Sequence, residues 1–160
     1  MNNLTIIAAI GKNSELGYNN DLIWHFKEDM KFFREQTNAK PIVMWRKTFE
    51  SLPKVLPNRL NIVLTKQDIK IPCTIVVHSK EELYELISNY KDEVMIIGGS
   101  SIYKMFIDDV DRMLLTEIED TFPKADTYFP EFNKNNWKRK VLSRHLENNI
   151  SYNHTEYIRK

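Results

Sequence analysis

The chain has 160 residues, with 23 lysines and arginines against 22 aspartates and glutamates, and a formal charge of +1. That length suits one domain with a substantial core, and that balance gives neither nucleic acid nor an anionic membrane a bulk attraction. Cys73 is the only cysteine, which excludes an internal disulfide framework, suits a reducing cytoplasm and reads as a small buried hydrophobe, while His25, His78, His145 and His154 are scattered without zinc-ligand spacing, so no metal is expected.

The amino-terminal stretch MNNLTIIAAIGKNSE lacks a basic leader, and its apolar run Ile6 to Ile10 is too short for a signal or membrane segment, so a soluble, unexported protein is expected. Six β-rich runs follow in chain order: Leu4 to Ile10, Pro41 to Met44, Leu60 to Thr65, Thr74 to Val77, Glu93 to Ile97 and Arg112 to Ile118. Near-continuous apolar runs such as TIIAAI and VMII suit a sheet covered on both faces, which favours parallel pairing. Helical periodicity spans Lys27 to Thr37 and Ser79 to Tyr90, the latter opened by an N-cap serine with Glu82 at capping-box spacing. Two extended runs, Trp137 to Leu146 and Ser151 to Arg159, flank Glu147-Asn148-Asn149 as an antiparallel hairpin, and Asn133 to Asn136 reads as loop. The expectation is a single α/β domain over residues 1–160 with a twisted, mostly parallel sheet of about eight strands, an antiparallel C-terminal hairpin and about four helices. The abundance of Asn reads as compositional bias.

Three stretches could carry chemistry. On the first helix Asp29 shares a face with Phe26, Phe32 and Phe33, and a carboxylate desolvated there can exchange protons or clamp a cationic heterocycle, whereas Glu28 points to solvent. In EVMIIGGSSIYKMF a buried strand runs through Gly98-Gly99 into a helix opened by Ser100 and Ser101, an arrangement that aims free amides at a phosphate. In KPIVMWRKTFES, Arg46, Lys47 and Thr48 open another helix after another strand and offer a seat for a phosphate. Arg59 has the fork that grips a carboxylate.

Together TIIAAIG, ELGYNNDLIWHFKEDMKFF, KPIVMWRKTFESL, LPNRLNIVLT, VMIIGGSSIY, LLTEI and ADTYFPEF, in that order, resemble dihydrofolate reductase of the bacterial chromosomal type. The resemblance implies the known reductase fold, reduction of 7,8-dihydrofolate by NADPH, inhibition by antifolates such as trimethoprim or methotrexate, and a monomer in the cytoplasm. It implies that Asp29 binds the pterin and supports protonation at N5, that Thr116 hydrogen-bonds Asp29, and that Trp24 lies near the pterin. Ile7, Ala8, Met30, Phe33, Leu52, Leu56, Ile97 and Tyr103 match the family's apolar walls, and Arg59 its grip on the glutamate tail. Ala9, Leu16, Gly17, Asn20, Trp45, Arg46, Lys47, Thr48, Thr65, Lys66, His78, Gly98, Gly99, Ser100, Ser101, Ile102 and Tyr103 fall on the cofactor side. Gly98-Gly99 is expected to be the family's cis peptide, and Gly11 to Trp24 its mobile lid.

Three positions depart from that pattern. Ile23 and Lys27 stand where the family has proline, which predicts a looser lid and helix start. Trp45 stands where the family has glycine; were positive φ needed there, the cost would be about 1 to 2 kcal/mol before any clash. A competing reading is therefore a folate- or antifolate-binding protein with the reductase fold and weak turnover.

Overall fold

Strand β1 (Leu4–Ile10) runs through the middle of the molecule, and its alternate side chains feed two different cores. Leu4, Ile6, Ala8 and Ile10 join one apolar cluster, whereas Ile7 joins another on the opposite face of the sheet. This period-two division follows from the pleat, which points successive side chains to opposite faces. The computed structural model describes residues 3–52 and 54–160.

After β1 come β2 (Glu15–Tyr18), β3 (Asp21–Leu22), α1 (Lys27–Thr37), β4 (Ile42–Trp45) and α2 (Arg46–Ser51). The chain continues through β5 (Asn61–Leu64), β6 (Ile75–Val77), α3 (Lys80–Ile87), β7 (Val94–Gly98), α4 (Ser100–Phe106) and β8 (Arg112–Ile118). It ends with β9 (Thr127–Tyr128), a short 3-10 turn at Lys134–Asn136, β10 (Trp137–Glu147) and β11 (Ile150–Arg159). Eight strands form one sheet in the order β10-β11-β8-β1-β7-β4-β5-β6. Pairing is parallel from β8 to β6, and β11 enters antiparallel to both β8 and β10.

Helices α3 and α4 cover one face through Leu83, Ile87, Ile102 and Phe106. The other face is covered by α1 and α2, whose Phe32, Phe33 and Phe49 pack on Ile7, Ile42, Met44, Val63, Met95 and Leu114. The predicted capping box holds in part: Ser79 Oγ accepts from Glu82 N–H at 3.1 Å, while the Glu82 carboxylate reaches the His78 amide at 2.8 Å.

Within residues 11–24, β2 pairs with both β3 and β9 in a second, three-stranded sheet. Three sequence expectations change. Residues 134–136 are a 3-10 turn capped by the Asn133 side chain rather than loop. Cys73 is exposed and sits at φ 64°, so its turn, not its hydrophobicity, decides its place. Asparagine also has a structural use: Asn19-Asn20 and Asn148-Asn149 occupy left-handed backbone in the two-residue turns of β2–β3 and β10–β11. Asparagine tolerates that region better than other side chains, and only four glycines are available in the chain.

Candidate functional site

Asp29 lies in the first turn of α1, at the carboxyl-terminal side of the sheet. Thr116, on β8, is buried and donates its hydroxyl hydrogen to Asp29 Oδ1 at 2.6 Å. His154 Nε2 lies 3.2 Å from the same oxygen, with the imidazole 3% exposed. Both contacts converge on Oδ1, and among the described residues neither Thr116 nor His154 engages Oδ2. Sheet register explains the grouping, since Thr116 pairs with Ala9 on one side and with His154 on the other. The histidines, scattered in sequence, are thus partly reunited. His145 and His154 face each other at 4.6 Å between ring centroids, brought together by the hairpin.

The helix carrying Asp29 is held firmly despite its missing proline. Lys27 N–H donates to Glu147 Oε1 at 2.9 Å, and Tyr152 Oη donates to the other oxygen of that carboxylate at 3.1 Å. Proline has no N–H to make the first of these bonds. Phe26 stacks on Tyr152 at 4.6 Å between centroids, fixing the same end. The expected looseness of the helix start is therefore not found. No comparable replacement contact accounts for Ile23.

Ile7, Phe33, Leu52, Leu56 and Ile97 lie together on the α1/α2 face, forming one apolar wall beside the carboxylate. Met30 is exposed at the rim, while Ala8 and Tyr103 belong to the opposite core. Tyr103 Oη donates to the Ile7 carbonyl at 2.7 Å, and burial raises its phenol well above the ordinary range. Arg59 is oriented by three acceptors: Thr37 Oγ1 at 2.9 Å, the Arg34 carbonyl at 3.0 Å and the Pro57 carbonyl. Burial, followed by the charge of Arg34, lowers its proton affinity. Two of the five guanidinium N–H groups remain for an anion, and Arg34, which sequence reasoning did not single out, adds a second positive charge.

Across the sheet, Met44 pairs with Gly98, so the ends of β4 and β7 lie side by side. The Gly98–Gly99 peptide is cis, as expected, and Gly98 has φ 125°. A Cβ on Gly98 would lie 3.3 Å from Tyr103 Oη, and one on Gly99 3.3 Å from Thr48 Oγ1. The positive φ makes glycine the fitting residue at 98, and a side chain at either position would crowd its neighbour. Arg46 is engaged by Glu50 at 2.7 Å, Lys47 and Lys66 are exposed, and Asn20 Nδ2 donates to the Lys47 carbonyl at 3.3 Å. Thr65 is buried, its carbonyl 3.0 Å from His78 Nδ1. Ser100 and Ser101 begin α4, whereas the Ile102 side chain is fully buried in the core and offers a ligand only its backbone.

Trp45 is the N-cap of α2, with φ −73° and ψ 151°. This is ordinary extended backbone, so the feared cost of positive φ does not arise. Its ring is half-buried and packs against the core on the α3/α4 face. That is also the face from which α4 and the Gly98-Gly99 turn are reached, so its bulk sits beside the basic helix start.

The family model described as Dihydrofolate reductase matches residues 3–159. The chain belongs to the dihydrofolate reductase family. Relatives named dihydrofolate reductase include that of Haemophilus influenzae, 37% identical over 84% of this chain and 82% of the relative. That of Buchnera aphidicola is 36% identical over 94% and 93%, and that of Bacillus subtilis 38% identical over 84% and 80%. A solved dihydrofolate reductase from Enterococcus faecalis, complexed with NADP(H) and RAB-propyl, superposes with a TM-score of 0.90 at 32% identity, covering 98% of this chain and 96% of that one.

The chain catalyses NADPH-dependent reduction of dihydrofolate. The site fits the cofactor on its own chemistry: two glycine cradles, the cations Arg46, Lys47 and Lys66, and the hydroxyl of Thr48 converge at the ends of parallel strands. The segment from Gly11 to Trp24 is held by Glu15, 2% exposed, whose carboxylate accepts from Asn13 N–H at 2.8 Å and Phe122 N–H at 2.7 Å. Trp24 Nε1 donates to Asp120 Oδ2 at 3.0 Å, and a Cβ on Gly11 would lie 2.5 Å from Glu15 Oε1. Sequence reading passed over Glu15, because a lone glutamate in a loop gives no sign of burial. Leu16 packs on the main core, and a Cβ on Gly17 would lie 2.9 Å from the Asp21 carbonyl.

Proposed function

We propose that Asp29 binds the pterin ring through its free oxygen and supports protonation at N5 during the reduction of 7,8-dihydrofolate to tetrahydrofolate. The observation that carries this reading is the asymmetry of the carboxylate, with Thr116 and His154 on Oδ1 and nothing on Oδ2 among the described residues. NADPH supplies the hydride when bound. The chain's own residues orient the two rings and exclude water, which is where such sites gain most of their rate.

In this reading Ile7, Phe33, Leu52, Leu56 and Ile97 enclose the pterin and the aromatic part of the substrate, with Met30 at the rim and Trp24 closing the lid. Arg59 grips the tail carboxylate. Arg46, Lys47, Thr48, Thr65, Lys66, His78 and the backbone from Gly98 to Tyr103 hold the phosphates and adenosine, while Ala9, Leu16, Gly17 and Asn20 border the nicotinamide. The same carboxylate receives the cationic heterocycle of antifolates such as trimethoprim or methotrexate. The protein works as a monomer in this reading, and the single free cysteine supports a reducing cytoplasm.

Asp29→Asn tests the assignment. Turnover at neutral pH falls by at least about a hundredfold, the range lost with a general acid or base, while NADPH binding is kept. Full activity in that variant refutes the role of Asp29.

A further inference from the structure

His154 has neighbours that a packing residue does not need. Its Nε2 lies 3.2 Å from Asp29 Oδ1, and its Nδ1 lies 3.2 Å from Ser143 Oγ. Ser143 Oγ in turn lies 2.8 Å from His145 Nε2. His145 is half-buried and, with Ser143 and the edge of His154, lines a recess between the hairpin and Glu28, Lys31, Phe32 and Glu35 of α1. An unbroken hydrogen-bonded line therefore runs from the solvent side of that recess to the carboxylate.

The backbone is arranged to complete this line. Between Val141 and Ser143 the β10–β11 register shifts, so that Val141 pairs with Thr155 and Ser143, not Leu142, pairs with His154. Regular pairing would place the leucine opposite the imidazole. A bulge of this kind re-aims one side chain, and here it exchanges an aliphatic group for a hydroxyl.

The geometry points to a proton relay, His145–Ser143–His154–Asp29, that feeds the active-site carboxylate from the recess between α1 and the C-terminal hairpin. It rests on the reading of Asp29 given above. With both rings in the Nε2–H tautomer every link has one donor and one acceptor. His154 Nε2–H passes its proton to Asp29 Oδ1, Ser143 Oγ–H replaces it at His154 Nδ1, and His145 Nε2–H replaces the one on Ser143. Solvent in the recess reprotonates His145. The net change is one proton moved from solvent to the Asp29 carboxyl group, matching the one proton consumed with each hydride, and no electrons enter or leave the protein. Every group facing His154 is consistent with this path: Asp29 and the stacked Phe32 from α1, Thr116 from β8, Ser143 and His145 from β10, and Tyr152, itself bonded to Glu147, from β11. Glu28, Lys31 and Glu35 surround the outer mouth.

The test is single-turnover hydride transfer, followed by NADPH fluorescence when enzyme–NADPH is mixed with dihydrofolate, from about pH 5 to about pH 9. Ser143→Ala breaks the middle link. His154→Phe breaks two links while keeping an aromatic ring against Phe32, whose centroid is 4.0 Å away. Each variant is expected to be slowed about tenfold at the alkaline end and to recover at the acid end, where solvent supplies protons directly. The double variant is no slower than the slower single one, because both cut the same path. A loss equal at all pH values, additive losses, or a wild-type profile in Ser143→Ala overturns the relay; that last variant carries the test should His154→Phe fail to fold. Asp29→Asn separates the two readings: if it abolishes turnover while the other variants follow the wild type, Asp29 stands and the relay falls.

Discussion

Thr116 and Asp29, 87 positions apart, are joined by a 2.6 Å hydrogen bond in which the threonine hydroxyl donates to the carboxylate. The bond occupies one carboxylate oxygen and leaves the other outside it. Thr116→Val keeps the shape and removes the donor, leaving His154 alone on Oδ1. A charge-assisted bond of this kind contributes about 1.5 to 3 kcal/mol, so kcat/KM for dihydrofolate is expected to fall about tenfold or more with the fold intact. Steady-state kinetics with circular dichroism as control checks this.

Trp45→Gly should act in opposite directions on binding and stability. Removing the ring opens the approach to Arg46, Lys47 and Thr48, so NADPH binds at least several-fold more tightly, or about 1 kcal/mol. Removing a half-buried indole and adding a flexible residue before α2 destabilises the fold by about 1 to 3 kcal/mol. Calorimetric titration and thermal melting read the two effects separately, and equal NADPH affinities would show that the tryptophan is fully accommodated.

Arg59→Lys keeps the charge and loses the fork. Lysine cannot reproduce three contacts to Thr37, Pro57 and Arg34 while offering two parallel donors to a carboxylate. The expected outcome is a KM for dihydrofolate raised about tenfold with kcat little changed, the pattern of lost uniform binding. A substrate lacking the glutamate tail should show no difference between the two proteins.

Acid sensitivity should be traceable to Glu93, far from the chemistry. Burial pushes its carboxyl group up, but hydrogen bonds from Thr5, Lys40 and Arg112 and the charge of Arg112 outweigh this and hold it below the ordinary value. Lys40 Nζ lies at 2.9 Å and Arg112 Nη1 at 2.7 Å, and Arg112 continues to Glu156 at 2.8 Å. A depressed folded-state value stabilises above the unfolded carboxyl's range and is lost as pH falls through the folded one. Glu93→Gln is therefore less stable at neutral pH by about 1 to 3 kcal/mol, and its melting temperature falls less steeply below about pH 4.5 than that of the parent. Parallel melting curves would remove Glu93 from the account.

The sequence alone determined the elements whose causes are local. Apolar runs buried on both faces made the parallel strands legible, the serine at 79 marked its helix, and the Asn148-Asn149 pair marked the hairpin. Asp29, Arg59 and the two glycines were legible because ordered motifs place them on one family's pattern. Tertiary structure decided what depends on distant partners. Glu147 replaced a missing proline by accepting the Lys27 amide, and negative φ at Trp45 removed a strain that the family's glycine at this position suggested. The His154–Asp29 contact could not be read from spacing. It requires β11 to pair with β8 so that His154 lies beside Thr116, and pairing between strands far apart in the chain leaves no periodic mark in either one.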